Sequence, residues 1–190
     1  MQLWSKPSLN VFLTTIGRKK LPIMLDSLWP QLLPTDYLTV VSDMEHEYVR
    51  SALTQFKFAC PVIHIANPEP LGFWGHGSRT KYQNSLPGDY FLHGDDDDYY
   101  LPGAFYKIRR SICFQRLYLF RIQDKQDIIW RRRGPVQSHQ IGTPCGAVPN
   151  TGNLPAWGNF YAGDGHFYEQ AAKLFQVEWV DFVIYKTWRE

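Results

Sequence analysis

The chain has 190 residues, of which 44% are hydrophobic and 16% aromatic, and its formal net charge at pH 7 is +2. This length is typical of one domain and is sufficient to bury a core without disulfide or metal staples. The composition excludes a disordered chain, and the near balance of charge argues against a general binder of nucleic acid. The charge is nevertheless uneven, with four consecutive aspartates at 95–98 and three consecutive arginines at 131–133.

The cysteines and the apolar segments bear on the cellular compartment. The three cysteines are scattered without metal-ligand spacing, which indicates free thiols in a reducing compartment. No stretch approaches the roughly 20 apolar residues of a membrane span, and the N-terminal segment is too interrupted for a signal peptide. We therefore expect a cytoplasmic protein with no integral membrane segment.

The first 112 residues alternate between short apolar runs and segments with helical spacing. Strands are predicted where β-branched and aromatic residues cluster, and helices where apolar residues recur every three to four positions. The predicted strands are 9–15, 37–42, 61–66 and 89–93, and the predicted helices are 22–29, 47–56, 77–85 and 104–112. This alternation is typical of stacked βαβ units, so we predict an α/β fold with a mostly parallel central sheet flanked by helices.

The remainder of the chain has a different pattern. Strands are predicted at 116–122, 127–133 and 177–185, and a helix at 166–175. Residues 134–162 are rich in Gly, Pro and Asn, and such a long irregular segment in a compact domain usually has a function. We predict a single domain over residues 1–190.

The four aspartates directly follow the predicted strand 89–93. Adjacent carboxylates repel one another, and a divalent cation offsets this repulsion because hard cations prefer carboxylate oxygen. Ligands of open α/β sheets bind at the carboxyl ends of strands, where this run lies. The alternative from the residues alone is a solvated acidic turn.

The order of strand, Asp-rich turn, xxxP and helix resembles the DXD region of GT-A glycosyltransferases, which use nucleotide-sugar donors. Anchored on Pro102, the resemblance implies that Asp95 and Asp97 hold Mn²⁺ or Mg²⁺ against the donor diphosphate. Such an ion neutralises the leaving nucleoside diphosphate as the sugar–phosphate bond breaks. The His-Gly pair before the run stands where two apolar residues are commoner. The alignment of the Asp run with the DXD pattern could therefore shift by one residue, and Asp96 is included among the donor-binding candidates.

The segment TTIGRKKLP after the first strand resembles the nucleotide-holding loop of the same family. The resemblance implies that Thr14, Thr15, Gly17 and Arg18 contact the base, ribose or phosphate of the donor. Asp43, which ends the second strand, matches a position that often contacts the base or ribose. From the residues alone, an ordinary basic turn and an ordinary turn aspartate remain open.

The segment GFWGHGSRTKYQN at 72–84 resembles the glycine-to-helix segment that passes under the donor. The resemblance implies that Arg79 and Lys81 meet the diphosphate or the sugar, although plain surface charge is as good an interpretation for Arg79; His76 is a weaker candidate. The segment is neither a Walker A loop nor a dinucleotide fingerprint, because the G-K-[ST] ending and the G-x-G-x-x-G spacing are missing.

The segment WGNFYAGDGHFYEQA at 157–171 resembles the part of the family that carries an acidic residue before the last helix. Asp164 is the match, and the resemblance implies a general base for the acceptor hydroxyl in an inverting enzyme, or an acceptor contact in a retaining one. A helix N-cap is the alternative role for Asp164. His166 is a candidate metal or diphosphate ligand, with polar surface as its alternative.

Aromatic residues flank this second acidic position. Trp157, Phe160 and Tyr161 are candidates for stacking on the apolar CH faces of an acceptor sugar.

Basic residues recur on the later predicted strands. Arg116, Arg121 and the arginines at 131–133 would present either a face for anionic groups or, as we favour, the charged protection of an edge strand.

Together these features predict a metal-dependent glycosyltransferase, either a hexosyl- or a pentosyltransferase. It would move a sugar from a nucleotide-diphosphate donor, with a UDP-sugar favoured, to a hydroxyl acceptor that we expect to be a glycan. Residues 1–112 would bind the nucleotide sugar and residues 113–190 the acceptor, although the resemblance does not extend over 113–150. Two alternatives remain: a nucleotidyltransferase, for which the first loop is too poor in glycine, and a non-enzymatic sugar- or Ca²⁺-binding module.

Overall fold

The computed structural model describes residues 6–113, 115–124, 126, 129–130 and 133–188. Within these ranges the chain forms one mixed sheet and five α-helices. The strands are β1 (Leu9–Thr15), β2 (Tyr37–Ser42), β3 (Val62–Ala66), β4 (Tyr90–Asp95), β5 (Tyr99–Tyr100), β6 (Leu117–Gln123), β7 (Ile129–Trp130), β8 (Gly146–Pro149) and β9 (Val177–Lys186). The helices are α1 (Leu21–Leu28), α2 (His46–Thr54), α3 (His76–Tyr82), α4 (Ala104–Ser111) and α5 (Gly163–Leu174).

The sheet combines parallel and antiparallel strand pairs. Its strand order is β3-β2-β1-β4-β8-β6-β9-β5, with β7 paired to β6. The first four strands in this order are parallel, as the βαβ pattern predicts. β8 is antiparallel to both β4 and β6, and β5 is antiparallel to β9. The prediction of a mostly parallel sheet is therefore wrong, because β8 lies antiparallel between β4 and β6 at the centre of the sheet and β5 is antiparallel at its end, although β9 is again parallel to β6.

The core lies on both faces of the parallel strands. All seven residues of β1 are buried, since it is flanked by β2 and β4 and covered by helices. α1 buries Leu21, Met24, Leu25 and Leu28, which recur at the helical spacing of one face. This packing makes the parallel half of the sheet a rigid base for the loops at its carboxyl edge.

Parallel pairing brings the ends of three strands to that edge. Thr14 of β1 is in register with Asp95 of β4, and Thr15 is in register with Ser42 of β2. The loops that follow β1, β2 and β4 therefore emerge side by side, which is where ligands of such sheets bind.

A buried ion pair ties the opposite end of β1 to a helix. Asp36 is fully buried and accepts hydrogen bonds from the backbone amides of Leu9, at 3.0 Å, and Leu33, at 2.7 Å. Arg109 of α4 donates to both carboxylate oxygens of Asp36. The pair is compensated by hydrogen bonds on both partners, as a buried charge requires.

Arg116 and Arg121 form ion pairs within the sheet. β6 lies between β8 and β9, so the edge-strand interpretation is wrong for it. Arg116 pairs with Glu178 at 3.2 Å and Arg121 pairs with Asp181 at 3.0 Å, both across to β9. Arg131 and Arg132 lie outside the described residues, as does most of the strand predicted at 127–133.

The three cysteines are free thiols, with Cys60 and Cys145 buried and Cys113 exposed. Burial raises the pKa of the Cys60 thiol to about 11. Among the described residues, none of the helices is long and apolar enough to cross a membrane.

Candidate functional site

Exposure alternates along the four aspartates. The side chains of Asp95 and Asp97 are 19% and 22% exposed, whereas that of Asp96 is only 3% exposed and Asp98 is buried. Asp95 is the last residue of β4, and the chain turns immediately after it. Two carboxylates separated by one residue are thus accessible at the carboxyl edge of the sheet.

The loop after β1 is bonded to this run. Arg18 Nη1 lies 2.8 Å from Asp96 Oδ1 and 3.1 Å from Asp97 Oδ2. Thr15 Oγ1 donates to Asp96 and accepts from the Gly17 amide at 2.8 Å. Four of the predicted site residues therefore form one connected network with Asp97.

The charges of this network affect one another. Burial raises the pKa of Asp96, although the Thr15 hydroxyl and the Arg18 guanidinium oppose this effect. Partial burial of Arg18 would lower its pKa, but Asp96 and Asp97 outweigh this and raise it. Asp96 therefore binds the loop to the run, and Asp95 and Asp97 present carboxylates outward.

Arg79 is fully buried, so the interpretation as surface charge is wrong. Its Nη2 donates to Asp95 Oδ1 at 2.8 Å and to the Gly94 carbonyl at 2.9 Å, and its Nη1 donates to the Trp74 carbonyl at 3.1 Å. The guanidinium also packs on the Trp157 ring, 5.0 Å from its centroid. Arg79 thus orients Asp95 and fixes the turn that contains Trp74. Lys81 is exposed on the same helix.

Asp43 lies at the end of β2 and is buried. It accepts hydrogen bonds from the Gly72 amide at 3.1 Å, from Ser78 Oγ at 3.0 Å and from Asn67 Nδ2. The carboxylate therefore holds the Gly72–Ser78 segment against β2. Its predicted contact with a base or ribose stays a prediction.

Two glycines allow the loops at this edge to approach closely. Gly17 and Gly75 both have φ +83°, in the left-handed region that favours glycine. A Cβ at Gly17 would overlap the side chain of Glu45, and one at Gly75 would overlap that of Thr14. Thr14 is accordingly buried beneath the turn that precedes α3.

Asp164 is the second residue of α5, and the N-cap of that helix is Ala162. The N-cap alternative for Asp164 is therefore wrong. Asp164 Oδ2 accepts from the Thr143 amide at 3.1 Å, and Oδ1 accepts from the Gly165 amide at 2.8 Å. These contacts hold the carboxylate in one orientation in the first turn of α5.

His76 connects the two acidic positions. Its Nδ1 lies 2.7 Å from the Gly158 carbonyl, and because a carbonyl only accepts, Nδ1 carries the proton. Burial and the neighbouring Arg79 lower the pKa of His76, whereas Asp164 and Asp95 raise it, so both carboxylates lie within electrostatic reach.

The aromatic residues of the second segment divide into buried and exposed ones. Trp157 is buried and stacks on Phe167 at 4.3 Å between ring centroids, so its predicted role in acceptor stacking is wrong. Phe160 and Tyr161 are exposed. Trp74, which the sequence did not single out, is exposed beside Tyr161 at 6.1 Å between ring centroids.

The acidic pair has the donor chemistry of a site for Mg²⁺ or Mn²⁺. Such an ion commonly takes one or two protein carboxylates and completes its coordination with water and substrate phosphates. Within the described ranges, His, Cys, Asp and Glu residues form no group of three or more that could hold a metal ion. His166 is thus not brought into such a group; its ring packs on Phe160 at 5.6 Å, and its role as a ligand stays a prediction.

No protein-family model and no curated protein match the chain. Solved structures of S. aureus TarS do match it in fold. TarS 1–349 in complex with UDP-GlcNAc superposes with a TM-score of 0.76 at 15% identity, covering 96% of this chain and 59% of that one. TarS 1–349 in complex with UDP gives 0.75 at 14% identity, covering 95% and 60%.

The chain therefore spans about three fifths of the TarS 1–349 chains. At this level of identity the similarity shows the fold alone. It supports the α/β fold expected from the GT-A resemblance, with a mixed sheet in place of a mostly parallel one.

Proposed function

We propose that this chain is a glycosyltransferase that moves a sugar from a nucleotide-diphosphate donor, with a UDP-sugar favoured, to a hydroxyl group of a glycan. The observation that carries the proposal is the accessible pair Asp95 and Asp97 at the carboxyl edge of the sheet. Asp97 is paired with Arg18 of the loop after β1, and Asp95 with Arg79 of α3. The fold shared with TarS, whose structures hold UDP-GlcNAc and UDP, supports a nucleotide sugar as the ligand at this edge.

Asp95 and Asp97 would hold a Mn²⁺ or Mg²⁺ ion, which supplies charge neutralisation for the leaving diphosphate when bound. Arg79 keeps Asp95 in place, because its guanidinium is buried and has further acceptors in two backbone carbonyls. Arg18 is half exposed, so its guanidinium can turn from Asp97 to a donor phosphate while the backbone of the loop stays in place. Thr14, Thr15, Gly17 and Asp43 would line the nucleoside side of the site.

Asp164 would act on the acceptor. In an inverting reaction its carboxylate takes the proton of the acceptor hydroxyl as that oxygen forms a bond to the anomeric carbon of the donor sugar. The bond from the anomeric carbon to the phosphate oxygen breaks, and its electron pair leaves with the nucleoside diphosphate. The backbone hydrogen bonds from Thr143 and Gly165 hold the carboxylate ready for this contact.

The proposal is tested by measuring UDP release from UDP-GlcNAc, UDP-glucose and UDP-galactose, each with Mn²⁺, with Mg²⁺ and with EDTA. We expect metal-dependent release from at least one donor, and a loss of about 100-fold in Asp97→Asn. Asp181→Asn is the matched control, because Asp181 is an exposed aspartate on β9 that pairs with Arg121. Equal activity of Asp97→Asn and the control would contradict the proposal. Binding of Ca²⁺ in the absence of any nucleotide, without UDP release, would favour the non-enzymatic binding module.

A further inference from the structure

Four exposed aromatic side chains lie on the two segments that precede α3 and α5. Phe73, Trp74, Phe160 and Tyr161 are 50%, 64%, 51% and 76% exposed. Scattered apolar residues on a surface need no explanation, but a contiguous patch beside a functional site usually marks a binding surface. We call these four residues the aromatic patch.

The backbone that presents the aromatic patch is strained. Phe73 and Trp74 have φ values of 52° and 54°, and Ala162, directly after Tyr161, has φ 65°. Left-handed conformations of residues other than glycine cost free energy and persist where the surrounding structure enforces them, typically at ligand sites. Here both strained segments carry aromatic rings that are at least half exposed to solvent.

The rings are held in a defined arrangement. Trp74 and Tyr161 meet edge to face, with ring centroids 6.1 Å apart and planes at 78°. The Trp74 carbonyl accepts from buried Arg79, and the Phe160 ring packs edge-on against His166. Two perpendicular rings form a corner that offers one flat face for stacking and one wall.

The aromatic patch is continuous with both acidic positions of the site. Trp74 reaches Asp95 through Arg79, and Tyr161 lies three residues before Asp164 in the segment that starts α5. A ligand on the patch would therefore lie near the start of α5, which carries the carboxylate proposed to take the acceptor proton. A pyranose ring suits the aromatic patch and its polar neighbours, because its CH face stacks on an aromatic ring while its hydroxyls remain available for hydrogen bonds.

From these observations we propose that Trp74 and Tyr161 form the subsite that stacks on a pyranose ring of the glycan acceptor. This inference rests on the proposed function and names the residues that would contact its glycan acceptor. A nucleobase is the competing occupant for Trp74, because the turn that carries Trp74 also packs on Thr14 through Gly75.

The test uses the full chain with UDP and Mn²⁺ present and titrates maltotriose, cellotriose and chitotriose as probes. We expect at least one trisaccharide to bind, and Trp74→Ala and Tyr161→Ala each to weaken that binding by about tenfold. Trp74→Phe should restore most of it, because the flat ring is retained. The UDP dissociation constant should stay within about twofold in all variants.

Tyr106→Ala is the matched control, since Tyr106 is also exposed, at 62%, but lies on α4. It should bind the trisaccharide as the unchanged protein does. The inference is overturned if no trisaccharide binds, if the variants at Trp74 and Tyr161 bind as tightly as the control, or if UDP binding weakens in place of sugar binding. If UDP binds the unchanged protein but no trisaccharide does, only this inference fails. If UDP itself does not bind, the proposed function fails as well.

Discussion

At the scale of single residues, each accessible aspartate has an arginine partner of a different kind. Asp95 is held by Arg79, which is fully buried, whereas Asp97 is held by Arg18, which is 44% exposed. A buried guanidinium with several acceptors is fixed, but an exposed one is free to exchange partners at little cost. Asp97 is therefore the carboxylate that a ligand can recruit most readily, and Asp95 is the fixed half of the pair.

The position of Asp95 and Asp97 could be predicted from the sequence, but the residues around them could not. The position of the Asp run after an apolar strand predicts a site at the sheet edge, and the structure places Asp95 and Asp97 there. That Arg79 is buried was not predictable, because its burial depends on Trp157 and Gly94, which are distant in sequence. Trp74 was missed because the pair Phe73-Trp74 between two glycines has no pattern that marks a left-handed turn.

A residue-scale prediction concerns His76 and pH. Burial lowers the pKa of His76, so between its ordinary value of about 6.5 and its lower folded value the unfolded chain binds more protons than the folded one. The free energy of unfolding should therefore fall as pH falls through about 6.5, by at most about 1.4 kcal/mol per pH unit from this group. The neighbouring charges are Arg79, which adds to the lowering, and Asp164 and Asp95, which oppose it.

His76→Asn keeps a donor near the Nδ1 position but does not titrate. Urea unfolding of both proteins at about pH 7.5, 6.5 and 5.5 should show a smaller loss of stability towards low pH in the variant. Parallel pH profiles of the two proteins would show that His76 does not contribute to the dependence.

At the scale of elements, the parallel half was predictable because each of its strands is a continuous apolar run between helical segments. β2 and β1 match their predicted bounds, and α4 differs by one residue at its end. β8 was missed because its four residues, GAVP, include both a glycine and a proline and show no alternation. Its direction, and so the mixed character of the sheet, follows from tertiary pairing with β4 and β6 that no local pattern encodes.

An element-scale prediction concerns the buried pair that joins β1 to α4. Asp36→Ala removes one partner, which leaves Arg109 buried without its counter-charge and two backbone amides without an acceptor. The expected loss is about 3–5 kcal/mol of unfolding free energy. Glu178→Ala is the control, because the Arg116–Glu178 pair is partly exposed and should contribute at most about 1 kcal/mol. Chemical denaturation measures both, and a similar small loss in the two variants would contradict this account of the pair.

At the scale of the whole molecule, the net charge of +2 conceals a local cluster of paired charges. Two accessible carboxylates lie at one edge of the sheet and are matched by two arginines from different segments. An aromatic surface begins at Trp74, whose carbonyl is bonded to Arg79, and continues to Tyr161. This division suits a ligand with a diphosphate at one end and a sugar acceptor beyond it, which is the arrangement the proposed function needs.

The most direct test of this account is the affinity for UDP measured by calorimetry with and without Mn²⁺, in the unchanged protein and in Asp97→Asn. If Asp97 joins the ion and the diphosphate, Mn²⁺ should tighten UDP binding by at least about tenfold in the unchanged protein and by less than about twofold in Asp97→Asn. An affinity for UDP that is indifferent to Mn²⁺, or equal enhancement by Mn²⁺ in both proteins, would contradict the central claim that the Asp run is the donor site.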